Sequence, residues 1–211
     1  MGRFDTERNE MIAILKEKGI TNEKVLDAMG KVERHLFVDP VHINRAYEDS
    51  ALPIASEQTI SQPYTVAVMT QALQPEKGMK ILEIGTGSGY QAAVLAAIGC
   101  RVFTIERHLS LLLNTRKLFD KLKLHILSKA GDGSIGWSEH APYDGIIVTA
   151  GSPSVPDSLV NQLCEGGRIV IPVGSMESQN LYIGTKSGTT LQTVVVEGFK
   201  FVPLIGKNAW T

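Results

Sequence analysis

The hydrophobic positions of the chain follow two rhythms, and the sequence divides where one gives way to the other, near residue 75. Residues 5–18 place Met11, Ile12 and Leu15 at helical spacing, and Val25, Leu26 and Met29 repeat the pattern behind a capping candidate, Thr21 or Asn22. Residues 46–63 carry no period, and 65–73 reads as a helix. From residue 80, short continuous apolar runs alternate with helical stretches. Strands are predicted at 80–84, 102–105, 124–127, 145–149 and 168–173, and helices at 90–98, 109–122 and, briefly, 158–163. Strands that are apolar without alternation are buried on both faces, as in a parallel sheet. After Gly174 the order becomes strand, turn, strand, with 181–185 and 191–196 on either side of Ser187 and Gly188; this predicts a hairpin on the sheet's edge. The fold class implied is α/β: a doubly wound, mostly parallel sheet with a helical N-terminal extension and a C-terminal edge hairpin.

Composition narrows the function more than the fold. A chain of 211 residues, 43% hydrophobic and 20% charged, has the length of a single domain with a full core. Its 21 Lys and Arg against 22 Asp and Glu leave a net charge of −1, too little positive charge to hold a nucleic-acid backbone. The apolar stretch at 92–100 is too short to span a bilayer, and the first ten residues lack the apolar core of a secretory leader, so a cytoplasmic protein without a membrane partner is expected. Cys100 and Cys164 lie far apart in apolar surroundings, as core thiols do. His35, His42, His108, His125 and His140 have no metal-ligand spacing, and no metal is expected.

The chemistry gathers at the ends of the predicted strands. The first runs into E-I-G-T-G-S-G, which supplies Glu83, Gly85, Gly87 and Gly89, with a helix directly after. In a doubly wound sheet this turn lies at the switch point where ligands bind, and glycines let the backbone approach them closely. The dinucleotide fingerprint needs a glycine where Tyr90 stands, so a pyrophosphate is disfavoured, and no phosphate-binding G-x-x-x-x-G-K-[ST] loop is present. Glu106 ends the second strand, where an acid can accept both ribose hydroxyls. Asp132 and Gly133 follow the third, where a carboxylate can accept from an adenine amino group. Thr149 ends the fourth and either lines the same crevice or satisfies backbone.

Together with the E-x-G-x-G-x-G loop, the segments R-H-L-F-V-D at 34–39, T-I-S-Q-P at 59–63, G-D-G at 131–133, Y-D-G-I-I-V-T-A at 143–150, E-G-G at 165–167 and F-V-P-L at 201–204 resemble the protein-L-isoaspartate O-methyltransferase family over nearly the whole chain. The resemblance implies a Rossmann-like α/β/α sandwich and a single methyltransferase domain over 1–211: a helical region with the substrate loop (1–75), a cofactor-binding core (76–173) and C-terminal strands (174–211). It implies S-adenosyl-L-methionine as cofactor, S-adenosyl-L-homocysteine as product, and methylation of the free α-carboxylate of L-isoaspartyl residues in damaged proteins and peptides, by a monomer. It also implies Ser61 as the catalytic residue. The cofactor site would be Gln58, Thr59, Ile60, Ser61, Tyr64, Glu83, Gly85, Gly87, Gly89, Glu106, Asp132, Gly133 and Thr149, and the substrate site Ile54, Thr59, Ser61, Val202 and Leu204. Ala55 and Glu57 depart from the family, which has a glycine and a small or neutral residue there.

Such a reaction asks little of the protein. A carboxylate with a pKa near 3.5 is already ionised at neutral pH, so no general base is needed, and alignment with exclusion of water supplies most of the acceleration. A hydroxyl suits the attacking oxygen better than an arginine, which would stabilise the ground-state anion more than the charge-neutralising transition state. Ser61 could equally cap the helix after Pro63. Two rival functions remain at this level: a methyltransferase with another acceptor, and a catalytically silent module that retains a nucleoside pocket.

Overall fold

The computed structural model describes residues 2–211. Three helices precede the sheet: α1 (Arg3–Glu17), α2 (Glu23–Lys31) and α3 (Pro63–Leu73), with a two-residue ladder of β1 (Leu52–Pro53) against β2 (Thr59–Ile60) in the intervening loop. Of the two capping candidates Asn22 is the one used, its side chain accepting from the Lys24 and Val25 amides. This part has its own core, in which Met11, Leu15, Val25, Met29, Leu52, Ile60 and Val66 are buried together with Tyr90 and Val94 of the following helix.

The sheet comprises β3 (Lys80–Ile84), β4 (Arg101–Glu106), β5 (Leu127–Ala130), β6 (Tyr143–Val148), β7 (Leu163–Gly174), β8 (Gln179–Ser187) and β9 (Thr190–Phe199), connected through α4 (Tyr90–Ile98), α5 (Leu109–Lys121) and α6 (Asp157–Val160). Its order is β5-β4-β3-β6-β7-β8-β9, parallel up to β7 and antiparallel for the last two strands. The order reverses beside β3, between the connection to β4 on one side and β6 on the other, so the switch point lies where β3 ends. Side chains alternate across the sheet: Leu82, Ile84, Ile146 and Val148 face a core with Phe103, Trp137 and Leu204, whereas Ile81 and Ile147 face one with Met69, Leu95 and Phe119. The predicted mostly parallel α/β fold is therefore the observed one.

Four local expectations are corrected. The strand expected at 124–127 starts at Leu127, because Lys123 turns left-handed (φ 56°) and the Leu124 amide closes back onto Phe119 O, leaving Leu124 in the core beneath α5. The helix expected at 158–163 ends at Val160, since Leu163 already pairs with Tyr143. The strand expected at 168–173 begins early for the same reason: the register slips between Leu163 and Arg168, where Gly166 takes φ 74° and lets the chain bulge. The edge hairpin is longer than its apolar centre, and Ser187 is strand rather than turn, pairing with Thr190 around Gly188.

Candidate active site

The carboxyl ends of β3, β4 and β6 open into one cleft, roofed by residues 58–61 on one side and 202–205 on the other. The glycine loop forms its floor. The Gly85 and Thr86 amides both donate to Ile105 O (2.8 and 3.2 Å), and the Gly87 amide donates to Glu106 Oε2 (2.9 Å), so the turn is tied to the neighbouring strand before any ligand arrives. Gly85 has φ +94°, and a Cβ there would overlap Thr149 Oγ1, which donates to Ile84 O (3.0 Å) and Gly85 O (2.8 Å). Thr149 thus satisfies backbone and lines the cleft as well.

Two acids stand at this floor in different surroundings. Glu106 is 5% exposed, and its second oxygen accepts from the His108 amide at 2.9 Å. Each oxygen keeps a lone pair beyond these backbone bonds, which suits a pair of vicinal hydroxyls. Glu83 has no exposed surface; burial pushes its carboxyl up to about 8, against the bond from Thr104 Oγ1 (2.5 Å), and Glu106 nearby adds to the rise. Thr104 Oγ1 also lies 2.7 Å from Thr86 Oγ1, so Thr86, Thr104 and Glu83 form a hydrogen-bonded line under the loop.

Four residues expected at the site are placed elsewhere. Asp132 does not line the cleft: Oδ1 accepts from the Ser134 amide (2.8 Å) and hydroxyl (2.7 Å), and Oδ2 accepts from the Lys207 amide (2.7 Å), so the carboxylate fastens the C-terminal tail. Its neighbour Gly133 does line the cleft, lying so close on Ile84 that a Cβ would collide with it. Gly89, with φ +88°, faces α5 instead, where a Cβ would come within 2.5 Å of Phe119 and 2.7 Å of Thr115. Tyr64 sits in the N-terminal core beneath Lys18 Nζ, 5.4 Å from its ring centre. Ile54 belongs to that core too and borders the cleft only through Gly87.

The other expected residues come together. Gln58, Thr59, Ile60, Ser61, Val202 and Leu204 all line the cleft. The F-V-P-L run is strung beside the end of β6, with the Gly151 amide donating to Val202 O (2.8 Å) and the Leu204 amide to Gly151 O (2.7 Å). A smaller depression lies against the cleft, lined by Gln62, Thr65, Lys200 and Phe201, and it shares Thr59, Ser61, Thr149 and Val202 with it. Ser61 therefore stands at the junction of two compartments. The capping reading of Ser61 is excluded by the local geometry: the Tyr64 amide at the start of α3 donates to Asp49 Oδ1 (2.8 Å), Gln62 occupies the cap position, and Asp49 Oδ2 accepts from Gln62 Nε2 (3.0 Å) and Lys18 Nζ (2.5 Å). Glu57 is exposed and lines neither compartment; it and Ser56 adopt left-handed backbone (φ 57° and 60°) in the turn before β2.

Tyr90, Gln91, Met69, Arg107 and His108, not expected there from the sequence, also line the cleft. Arg107 and His108 follow Glu106 directly and were within reach of the strand-end logic; Met69 and Gln91 lie on helix faces that look like ordinary core.

A doubly wound sheet whose glycine loop is roped to an acid at the next strand's end, with tyrosine where the dinucleotide fingerprint has its third, helix-packing glycine, has the crevice of a Rossmann-like protein built for a nucleoside without a pyrophosphate, as in the S-adenosylmethionine-dependent methyltransferases of that class. The family model for protein-L-isoaspartate(D-aspartate) O-methyltransferase matches residues 6–209, and the chain belongs to that family. A protein-L-isoaspartate O-methyltransferase of Chlorobaculum tepidum is 49% identical over 205 residues, covering 97% of this chain and 96% of its own. A solved protein-L-isoaspartate O-methyltransferase superposes with a TM-score of 0.86 at 29% identity, over 96% of this chain and 67% of its own. The fold of a Plasmodium falciparum structure, described as a putative enzyme of this type in complex with S-adenosyl-L-homocysteine, matches with a TM-score of 0.82 at 23% identity, over 94% and 98% of the two chains.

Proposed function

We propose that this chain transfers the methyl group of S-adenosyl-L-methionine to the free α-carboxylate of L-isoaspartyl residues in damaged proteins and peptides, so that the ester collapses to a succinimide and reopens in part as ordinary aspartate. The observation that carries the assignment of roles is Ser61 at the shared border of the two compartments, released from helix capping by Asp49. Gln58, Thr59, Ile60, Glu83, Gly85, Gly87, Glu106, Gly133 and Thr149 would hold the cofactor in the larger cleft, and the residues fit it: Glu106 offers two acceptor sites, and Gly85, packed on Thr149 with no room for a Cβ, keeps the loop close against the end of β6. The bound cofactor supplies an electrophilic methyl on a sulfonium. The protein's share is alignment. Ser61 donates a hydrogen bond that orients one carboxylate oxygen, Val202 and Leu204 wall the acceptor, and the two roof segments keep water out, for which positioning of this kind supplies about 7–11 kcal/mol. No proton has to move, because the acceptor is ionised.

The family resemblance implies a monomer acting in the cytoplasm; the near-balanced charge supports protein substrates without a nucleic-acid partner, and among the described residues no helix is long and apolar enough to cross a membrane. The test is a peptide pair differing only in Asp against isoAsp, incubated with labelled S-adenosylmethionine. Base-labile label confined to the isoAsp peptide is the expected result; label in both, or in neither despite cofactor binding, overturns the reading.

A further inference from the structure

Arg34 joins the N-terminal region to the cleft, and nothing in the reaction above uses it. Its side chain is fully buried, with Nε donating to Ala46 O at 2.8 Å and Nη2 reaching Ser50 O at 3.5 Å. The guanidinium carbon lies 4.9 Å from the centre of the Tyr90 ring, and Nη1 is buried without a hydrogen-bond partner among the described residues. Burial pulls the group down to about 10, and no carboxylate among the described residues lies in ion-pair contact with it. A buried cation in this state costs stability, and an apolar side chain of similar volume would fill the space at less cost. Packing alone therefore does not account for it.

The guanidinium touches one wall of the cleft directly, at Tyr90, and reaches the other through the loop behind it. Through Ala46 O and Ser50 O it fixes the loop that holds Asp49, and Asp49 in turn fixes Gln62 and the Tyr64 amide, directly after Ser61. Through its face it holds Tyr90, the first residue of α4, which follows the glycine loop and lines the cofactor side. Phe37, from the same R-H-L-F-V-D segment, meets that ring edge-on at 5.6 Å. We propose that Arg34 is a positioning residue that sets the spacing between the Ser61 segment and the cofactor wall by bridging residues 46–50 to Tyr90. This rests on the roles given above to Ser61 and to the cleft. A lysine keeps the charge but has neither the planar fork that spans two carbonyls nor the flat face that lies on a ring.

The experiment compares wild type, Arg34→Lys and Asp49→Ala, with active sites counted by titration with S-adenosylhomocysteine so that unfolded molecules do not enter the rate. Misplacing aligned groups by a fraction of an ångström lowers kcat, and a fall of about tenfold per titrated site is expected for both variants at saturating cofactor and isoAsp peptide. A residue that only stabilises the fold would lower the melting temperature and the number of titrated sites while kcat per site stays within about threefold of wild type, and that result overturns the proposal. If Arg34→Lys yields no titratable sites, Asp49→Ala decides by the same criterion, since it loosens the other end of the linkage and leaves the guanidinium in place. Hydrogen exchange separates this proposal from the functional reading: amides of 60–66 and 90–93 exchange faster in the variants than the global change in stability explains, whatever the acceptor is. Unchanged relative protection there sinks the positioning role, whereas a wild type that fails to methylate the isoAsp peptide sinks the functional reading instead.

Discussion

Replacing Glu83 by glutamine tests whether the acid beneath the glycine loop is held neutral. Its ordinary value is 4.5, and burial with no exposed surface pushes it up to about 8. Between those values the folded chain keeps a proton that the unfolded chain releases, so the native state loses stability as pH rises through that window and nothing further is lost above it. Each unit costs about 1.4 kcal/mol, and from pH 5 to 7 the loss comes to roughly 2–3 kcal/mol. In a chain of this length that is a fall of about 5–10 °C in Tm. Glutamine keeps the shape and an oxygen acceptor for Thr104 but has no proton to hold, so melting curves of Glu83→Gln across the same pH range lack this component. The difference between the two proteins, rather than either slope alone, isolates Glu83 from the other carboxylates. A bound sulfonium and ammonium would favour the ionised acid, so the affinity of the wild type for S-adenosylmethionine should rise with pH toward 8 while that of the variant stays flat. Parallel stability curves for the two proteins would refute the buried neutral acid outright.

Three further outcomes follow from the site. Ser61→Ala should lower kcat on an isoAsp peptide by about a hundredfold with Tm unchanged, because Asp49 caps α3; a fall in Tm with normal turnover would return Ser61 to a capping role. Gly85→Ala has to displace Thr149 and adopt φ +94°, so S-adenosylhomocysteine binding, followed by calorimetry, should weaken by about tenfold or more through strain of roughly 1–3 kcal/mol, and undiminished affinity would count against the loop as the cofactor's floor. Asp132→Ala should leave cofactor affinity within about threefold while costing roughly 1–3 kcal/mol of stability and freeing the C-terminal tail to limited proteolysis; a large loss of affinity would restore the adenine contact expected from sequence.

The fold and the floor of the site were legible because they rest on local rules. Apolar runs separated by helical stretches define a parallel sheet wherever they occur, and glycines after a strand with an acid ending the next define its switch point. What escaped was set by contacts between distant segments. Asp132 sits at the end of a strand as an adenine acceptor would, yet a tail some 75 residues later claims its carboxylate through a main-chain amide that no pattern announces. The family resemblance implies Tyr64 at the cofactor, but the turn set by Asp49 sends it into the helical core. Tyr90 entered only as a missing glycine, and its position in the cleft wall depends on Arg34 and Phe37 from a segment more than fifty residues earlier.

The chain itself contains two Asp-Gly steps, Asp132–Gly133 and Asp144–Gly145, the dipeptide in which a glycine nitrogen most readily attacks the preceding side chain. Both are immobilised. Asp132 has its two oxygens committed to Ser134 and Lys207 ahead of a glycine wedged on Ile84, and Asp144 accepts from the Lys80 amide at 2.7 Å within β6, where the following glycine is laddered between β3 and β7. Ageing of these two bonds is thus gated by unfolding, and on the proposed function a molecule that has opened long enough to isomerise there would become a substrate for its intact neighbours.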